Sequence, residues 1–500
     1  MSAAPPLPVR TRAPEVPGAL HEQAPFFDSG PLPGERGRLL LVSYYFPPSP
    51  ATGALRWQKL ARVVAERGLG LDVVTLAPAG IPRPDPRRLE DLPEGVRIYG
   101  VPHEPHPVER IERVAWQRLK ALRAALRPAP KGARETGAGP SEFPQVIAAR
   151  PESFSRAEVQ ALHASPRDAV RAYHAWLEYA RDGQWAAAAA VVGRRLAATG
   201  THRAVISCGP PHMAHEAGRR IAQGAGLPLV TDFRDPWSLV QRLPEPIASR
   251  FWFGLAERHE RRVLEASSLI VTNTEPARRG FQARYPSLAD RVVTVMNGYD
   301  DDVVPVVSRR ERFVVAYAGT IYLDRDPRPL LRAAGRLVRD LGLDPARFGL
   351  EFMGYVEGFG GQSLEALAAD AGLAGYLRTH TPRPRAEALA FLADASLLVS
   401  LPQDSDMAIP AKVFEYMLFD AWMLALATPA SATGQLLHGS GADVVEPQDE
   451  EGIHRVLRQR YTEFRAGIRP ARLASDDRFS RRRQGEILLD HLERLTLVQR

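Results

Sequence analysis

The feature that most constrains this chain is an uninterrupted apolar run, Arg38-Leu39-Leu40-Leu41-Val42-Ser43, followed by a loop, a helical stretch over 54–67 and a second apolar run over 71–76. A strand that is apolar on both faces needs cover on both faces, so the pattern specifies a parallel sheet between helix layers. Strands of the same kind are expected at 97–101, 204–207, 229–233, 269–272 and 292–296. After an acidic, proline-containing stretch they resume at 313–318, 349–353, 377–380, 397–401 and 423–427. A chain of 500 residues exceeds one hydrophobic core. The expected class is therefore α/β, two Rossmann-like, doubly wound domains. The first spans 38–305, with a largely helical insertion over about 102–200, and the second spans 306–475. The expected flanks are a disordered Pro- and Arg-rich tail over 1–37 and a C-terminal helix over 476–500 that packs back on the first domain.

In sheets of this type ligands bind beyond the carboxyl ends of the strands, which directs attention to the loops there. In the second half the run over 397–401 leads into Ile409-Pro410-Ala411-Lys412-Val413-Phe414-Glu415-Tyr416. Pro410 suits a first helical position, so the helix would aim its N–H groups and positive end at the loop, where a phosphate would sit. Lys412 and Glu415, three apart, share one face. The cation suits a diphosphate and the carboxylate suits a pair of hydroxyls. Lysine is scarce here, at Lys59, Lys120, Lys131 and Lys412 alone. An ammonium kept among so many arginines is either coincidence or a need for a flexible point charge.

In the first half Gly53 falls at a strand-to-helix junction, where it either admits a ligand to the backbone or is a plain loop glycine. His212 follows the strand at 204–207, and Asp232-Phe233-Arg234-Asp235-Pro236-Trp237 ends the next one. Asp235 or His212 then binds an acceptor or handles a proton, or else Arg234 pairs internally with Asp232 or Asp235.

Composition narrows the class further. Net charge +7 and pI near 9.6 come from interspersed charges, a weak pull toward anionic lipid or phosphate. No basic stripe interleaved with aromatics points to nucleic acid. The lone Cys208 fits a reducing compartment and a buried strand end, and neither a signal peptide nor a run of ~20 apolar residues is visible, so a cytoplasmic location is expected. The stretch over 108–126 reads as a basic amphipathic helix, either a solvated face or a contact with the inner membrane face or a lipid-linked acceptor. A linker is expected over 127–141 and helix over 159–198. Asp324-Arg325-Asp326 and Asp404-Ser405-Asp406 look like metal-binding pairs, but further ligands would be required and no metal is expected.

Five segments now fall in one order: Tyr45-Phe46-Pro47-Pro48 with Gly53, Asp232 to Trp237, Asn297-Gly298-Tyr299-Asp300, Tyr317-Ala318-Gly319-Thr320, and Ile409 to Tyr416. Together they resemble the family 4-like glycosyltransferases of the two-domain GT-B type, over 38–495 apart from the insertion. The resemblance implies two domains facing across a cleft and a retaining hexosyltransferase-type activity that uses a nucleotide-sugar. It implies that Glu415 takes the ribose hydroxyls and that Gly319 and Thr320 line the diphosphate site. Arg325 or Lys412 would balance charge on the leaving group, and Gly53 would approach the same phosphates. The acceptor, a glycan or lipid-linked molecule of cell-surface polysaccharide synthesis, would dock near His212 and Asp235, with Asp232, Arg234 and Trp237 beside it. No cofactor or metal is implied. Many relatives carry an acid eight positions before the glutamate, where this chain has Met407, with Asp404 and Asp406 close by. A nucleotide-sugar epimerase and a catalytically silent binding scaffold are the alternatives.

Overall fold

The computed structural model describes residues 24–125, 153–162, 165–300, 304–305, 311–403 and 405–498; residues 1–23, the linker expected over 127–141, and Asp404 lie outside them. The first sheet has eight strands: β1 Phe27–Asp28, β2 Arg38–Ser43, β3 Gly70–Leu76, β4 Val96–Val101, β5 His202–Gly209, β6 Leu229–Phe233, β7 Leu269–Thr272 and β8 Val292–Thr294. They lie in the order β1-β4-β3-β2-β5-β6-β7-β8, all parallel except β1. The second sheet has β9 Phe313–Thr320, β10 Phe348–Tyr355, β11 Leu377–His380, β12 Leu397–Ser400, β13 Trp422–Leu426 and β14 Asp443–Val445, all parallel, in the order β11-β10-β9-β12-β13-β14. Each sheet reverses its strand order beside its first long parallel strand, between β2 and β5 and between β9 and β12. Those are the two places where a ligand crevice opens in a doubly wound sheet.

Part of the tail expected to be disordered over 1–37 takes up defined structure, in residues 24–37. Phe27–Asp28 pairs antiparallel with β4, and the Phe26 N–H donates to the Ile98 carbonyl at 2.9 Å. The outer edge of β4 would otherwise present unpaired backbone groups, which is the physical reason for the pairing.

Eight helices matter below: α1 Thr52–Glu66, α2 Pro107–Ala125, α3 Pro166–Ala197, α4 Met213–Ala225, α5 Arg250–Ala266, α6 Arg385–Ala393, α7 Ala411–Tyr416 and α8 Arg481–Val498. Residues 153–155 and 242–244 form a small antiparallel pair, so the insertion is not helical throughout. The alanines of α3 have a packing reason. Ala186, Ala189 and Ala190 are buried against Met213, Ala214 and Ile221 of α4, and a Cβ on Gly193 would collide with the Ile221 side chain. Small residues bring the two axes together, and α3 lies over the same end of the sheet as the crevice loops. The last helix returns to the first sheet, where Leu488, Leu489 and Leu492 join the core of Trp57, Leu60 and Val63 from α1. No helix among the described residues is long and apolar enough to cross a membrane.

Candidate active site

At the second crevice β9 ends in Gly319 and Thr320. Gly319 has φ +148°, a conformation that side chains disfavour, and a Cβ there would run into the Lys412 ammonium. Lys412 Nζ is buried and lies 3.9 Å from the centroid of the Tyr317 ring, whose π face favours a cation. Tyr317 is fixed in turn by donating its hydroxyl to the Thr320 carbonyl at 2.8 Å. Tyr416, at the far end of α7, accepts from the Ala318 N–H at 3.0 Å, which docks α7 onto β9. Burial pushes the Tyr416 phenol up, so it stays a neutral hydroxyl.

The helix itself differs from expectation. α7 has only six residues, and Pro410 stands at the N-cap with φ −57° and ψ 136° rather than inside the first turn. So short a helix sums few peptide dipoles, and the positive potential here rests chiefly on Lys412 and Arg325. Arg325 stacks 4.3 Å over the Tyr322 ring and donates to Tyr322 Oη at 3.1 Å and to the Thr320 carbonyl at 3.4 Å.

Glu415 lies one turn beyond Lys412. Its Oε1 accepts from Arg385 Nη1 of α6 at 2.9 Å, with side chains 20 % and 40 % exposed. Exposed pairs of this kind contribute about 0–1 kcal/mol, so a hydroxyl pair can displace Arg385 at small cost. Arg385 also approaches Asp300 at 4.0 Å, and Asp300 receives Arg481 Nε at 2.8 Å and has Lys59 of α1 at 3.8 Å. A line of charges thus runs from Glu415 to the first half. Arg385 and Lys59 were not among the expected site residues. The Thr381-Pro382-Arg383-Pro384-Arg385 loop just past β11 was the available signal for the first of them.

The first crevice corrects several expectations. Asp232 does not face an acceptor: it is 0 % exposed, and Arg56 donates Nε and Nη2 to its two oxygens at 2.9 Å each while Trp57 Nε1 donates at 2.8 Å. A carboxylate so placed clamps α1 to β6. Trp237 is 1 % exposed, donates Nε1 to Tyr179 Oη at 3.0 Å and stacks on His212 at 5.1 Å, so it is a core residue. His212 is half-buried, and burial followed by the Arg234 charge holds it down to about 3; the ring is neutral at physiological pH. Arg234 is not tied to Asp232, whose oxygens are taken. Its guanidinium lies where a Gly53 Cβ would project, and it donates to the carbonyls of Gly209, at 3.2 Å, and Pro210. Gly53 is thus needed for this approach, and Arg234 forms the floor beside it. Asp235 is exposed at the rim.

Two acids on α3 lie outside the residues expected from the sequence. Glu178 and Asp182, one turn apart, share the face whose Tyr179 receives Trp237 and whose Trp185 meets Tyr44 edge-on at 4.9 Å. Trp252 of α5 donates to Glu178 at 3.2 Å. Asp182 accepts no hydrogen bond from any described residue. Burial, then the neighbouring Glu178 charge, pushes its carboxyl up to about 7 against the pull of Arg181. Tyr44 and Tyr45, on the loop after β2, are raised first by burial, and the Asp182 charge adds to the shift of both. An acid pair at helical spacing beside an alanine run was the only sequence signal.

The halves touch beside both crevices. Thr274 donates to the Met407 carbonyl at 2.5 Å, and the Asp406 N–H donates to Gln241 at 3.2 Å. Met407 thus occupies a contact between halves. Asp324 accepts from Ser153 at 2.6 Å and pairs with Arg242, while Asp326 takes Arg328 at 2.7 Å. Both carboxylates of this Asp-x-Asp are turned to arginines, and no group of three or more metal-ligating side chains occurs among the described residues.

No family model matches the sequence, and no curated protein matches it. Solved structures do resemble the fold. Sucrose-phosphate synthase from Thermosynechococcus elongatus aligns over 93 % of this chain and 100 % of its own, at TM-score 0.56 and 13 % identity. TarM aligns over 91 % and 99 % at TM-score 0.56 and 10 % identity. HepE from Anabaena, solved with UDP-glucose, aligns over 91 % and 99 % at TM-score 0.52 and 12 % identity. The chain has the two-domain GT-B fold of these proteins.

Proposed function

We propose that this protein is a glycosyltransferase that moves a sugar, with retention of configuration, from a nucleotide-sugar to a hydroxyl of a glycan or lipid-linked acceptor in cell-surface polysaccharide synthesis. The observation that carries the reading is the arrangement at the second crevice: a lysine seated on a glycine backbone, an arginine beside it and a displaceable glutamate one turn away. Diphosphate oxygens fit the Lys412 and Arg325 side, and ribose hydroxyls fit Glu415. HepE, which has the same fold, was solved with UDP-glucose, and this supports a nucleotide-sugar as the donor. In the reaction the bond from the anomeric carbon to the diphosphate breaks, the acceptor oxygen bonds that carbon on the same face, and the acceptor proton passes to the leaving phosphate oxygen. Lys412 and Arg325 stabilise the charge growing on that leaving group, which is worth most where water is excluded. In this reading the positive charge at the leaving group comes from Lys412 and Arg325 rather than from a metal.

Calorimetric titration with nucleoside diphosphates and nucleotide-sugars, with and without Mg²⁺, tests the reading. One donor should bind saturably without metal, and Glu415→Ala should weaken it by roughly tenfold or more, the loss of charge-assisted hydrogen bonds. Binding unchanged in the variant removes the ribose role. Donor binding without any turnover would favour the silent scaffold, for which Met407 in place of an acid is the specific observation.

A further inference from the structure

We propose that the antiparallel pair of residues 153–155 and 242–244 is a brace by which the first half fixes the two loops that carry Arg325 and Lys412. Ser153, Gln241 and Arg242 are then positioning residues for those cations. The loop after β9 needs outside support. Its turn from Tyr322 to Arg325 is closed by the Arg325 N–H, which donates to the Tyr322 carbonyl at 3.1 Å, and Leu323 inside the turn has φ +52°. A leucine in that left-handed region is disfavoured and persists only where its surroundings over-determine it. Those surroundings act through the next residue, Asp324. Its carboxylate takes Ser153 Oγ at 2.6 Å and pairs with Arg242, and Arg242 in turn donates to Ser153 Oγ at 2.8 Å and to the Ser153 carbonyl at 3.1 Å. Three side chains thus close a ring of hydrogen bonds across the two halves.

The brace is itself anchored. Leu243 and Phe154 pack into the core of the first half, Arg171 of α3 stacks 4.7 Å over the Phe154 ring, and the Arg156 N–H donates to the Gln241 carbonyl at 2.9 Å. From there it also reaches the second loop. Gln241, beside Arg242, accepts from the Asp406 N–H at 3.2 Å, in the loop between β12 and α7 that leads to Lys412. One short element therefore grips the loop of each cation. The two loops hold each other as well, since Gln403 Oε1 accepts from the Asp326 N–H at 2.5 Å. The side chains of Arg242 and Asp324 are 33 % and 26 % exposed, so their pairing adds little to overall stability. What it adds is a fixed place for Arg325, one residue along. That this place serves diphosphate oxygens rests on the glycosyl-transfer reading; that the brace fixes the loops does not.

Amide hydrogen exchange of the full chain, read by mass spectrometry, tests the fixing without any ligand. The Arg325 and Asp326 amides are hydrogen-bonded, so the peptide over 321–326 has protection to lose. In Arg242→Ala it should exchange about tenfold faster, an ordinary size for coupling between two contacts. Arg242→Lys keeps a charge on Asp324 and should fall between, Gln241→Ala should speed exchange over 405–408, and β10 should be unchanged in all three. Melting temperature should hold, because the pair is partly exposed. Titration with UDP, GDP and ADP and with the matching monophosphates reads the consequence. Arg242→Ala should weaken the diphosphate that binds about tenfold. The monophosphate should lose far less, whereas general loosening would weaken both alike. In an Arg325→Ala background the same change should add little, since its effect runs through that arginine. Unchanged exchange over 321–326, faster exchange without loss of the diphosphate, equal losses for the two nucleotides, or a full loss that persists without Arg325 each overturns the proposal. A wild-type protein that binds no nucleotide removes the glycosyl-transfer reading instead, and the exchange experiment then decides the brace by itself.

Discussion

The two sheets share the strand order that opens a crevice beside the first long parallel strand, yet the side chains at the two crevices are employed differently. In the first half the charged and aromatic residues that end β6 are consumed by neighbours: Asp232 by Arg56 and Trp57, Trp237 by Tyr179 and His212, Arg234 by two backbone carbonyls. In the second half Glu415 remains partly exposed against an exposed arginine, and Arg325 lines the loop after Gly319 and Thr320. Topology therefore positions a crevice twice, while local packing decides which residues there can meet a ligand.

The sharpest way to break this contrast is to remove one carboxylate from each half. Asp232→Ala leaves Arg56 charged, buried and without its bidentate partner, so it should cost about 3–5 kcal/mol in urea unfolding. Glu415→Ala, which breaks only an exposed pair, should cost about 0–1 kcal/mol. Similar costs for the two would erase the distinction between a clamp and a binding residue.

A glycine from each crevice offers a second comparison. Gly319→Ala forces a side chain into a φ of +148° and against the Lys412 ammonium, so it should cost about 1–3 kcal/mol and weaken nucleoside diphosphate binding. Gly53→Ala meets only the far end of Arg234, which can swing aside. Its stability cost should be the smaller of the two in the same unfolding assay, and the reverse order would mean that Arg234 is held more rigidly than its two carbonyl contacts imply.

Much of the fold was legible because strands buried on both faces have no other reading, and Leu39 to Val42 or Leu397 to Val399 are buried as their runs require. The second crevice was legible too, since β9, β12 and α7 bring Gly319, Thr320, Lys412 and Glu415 together from short, local segments. The first was less so. Asp232 at a strand end looks the same in sequence whether it faces solvent or Arg56, because its partner lies 176 residues away. Trp237 meets Tyr179 of α3, an element inserted far from it in sequence. The pairing of β1 was hidden because two residues carry no periodicity, and only the open edge of β4 explains it.

The smallest expected effect concerns what α3 adds to the first crevice. Asp182 faces Glu178 and Arg181 of its own helix and Tyr44 and Tyr45 of the loop after β2, and its carboxyl is held up at about 7. In the unfolded chain the same group would titrate near 3.8, so between these values the folded state binds more protons. Stability from this group is present below the lower value and is lost as pH rises toward and through the upper one. Asparagine mimics the protonated side chain. Asp182→Asn should therefore lie close to wild type at about pH 4 and melt a few degrees higher, roughly 2–4 °C, at about pH 8. Glu178, also raised by burial, should give the same sign in Glu178→Gln. A gap between Asp182→Asn and wild type that is equal at both pH values would mean that Asp182 is charged throughout. The expected pH-dependent gap would instead mark an acid at the first crevice that keeps its proton well above the usual carboxylate range, carried there by the insertion rather than by the loops of the sheet.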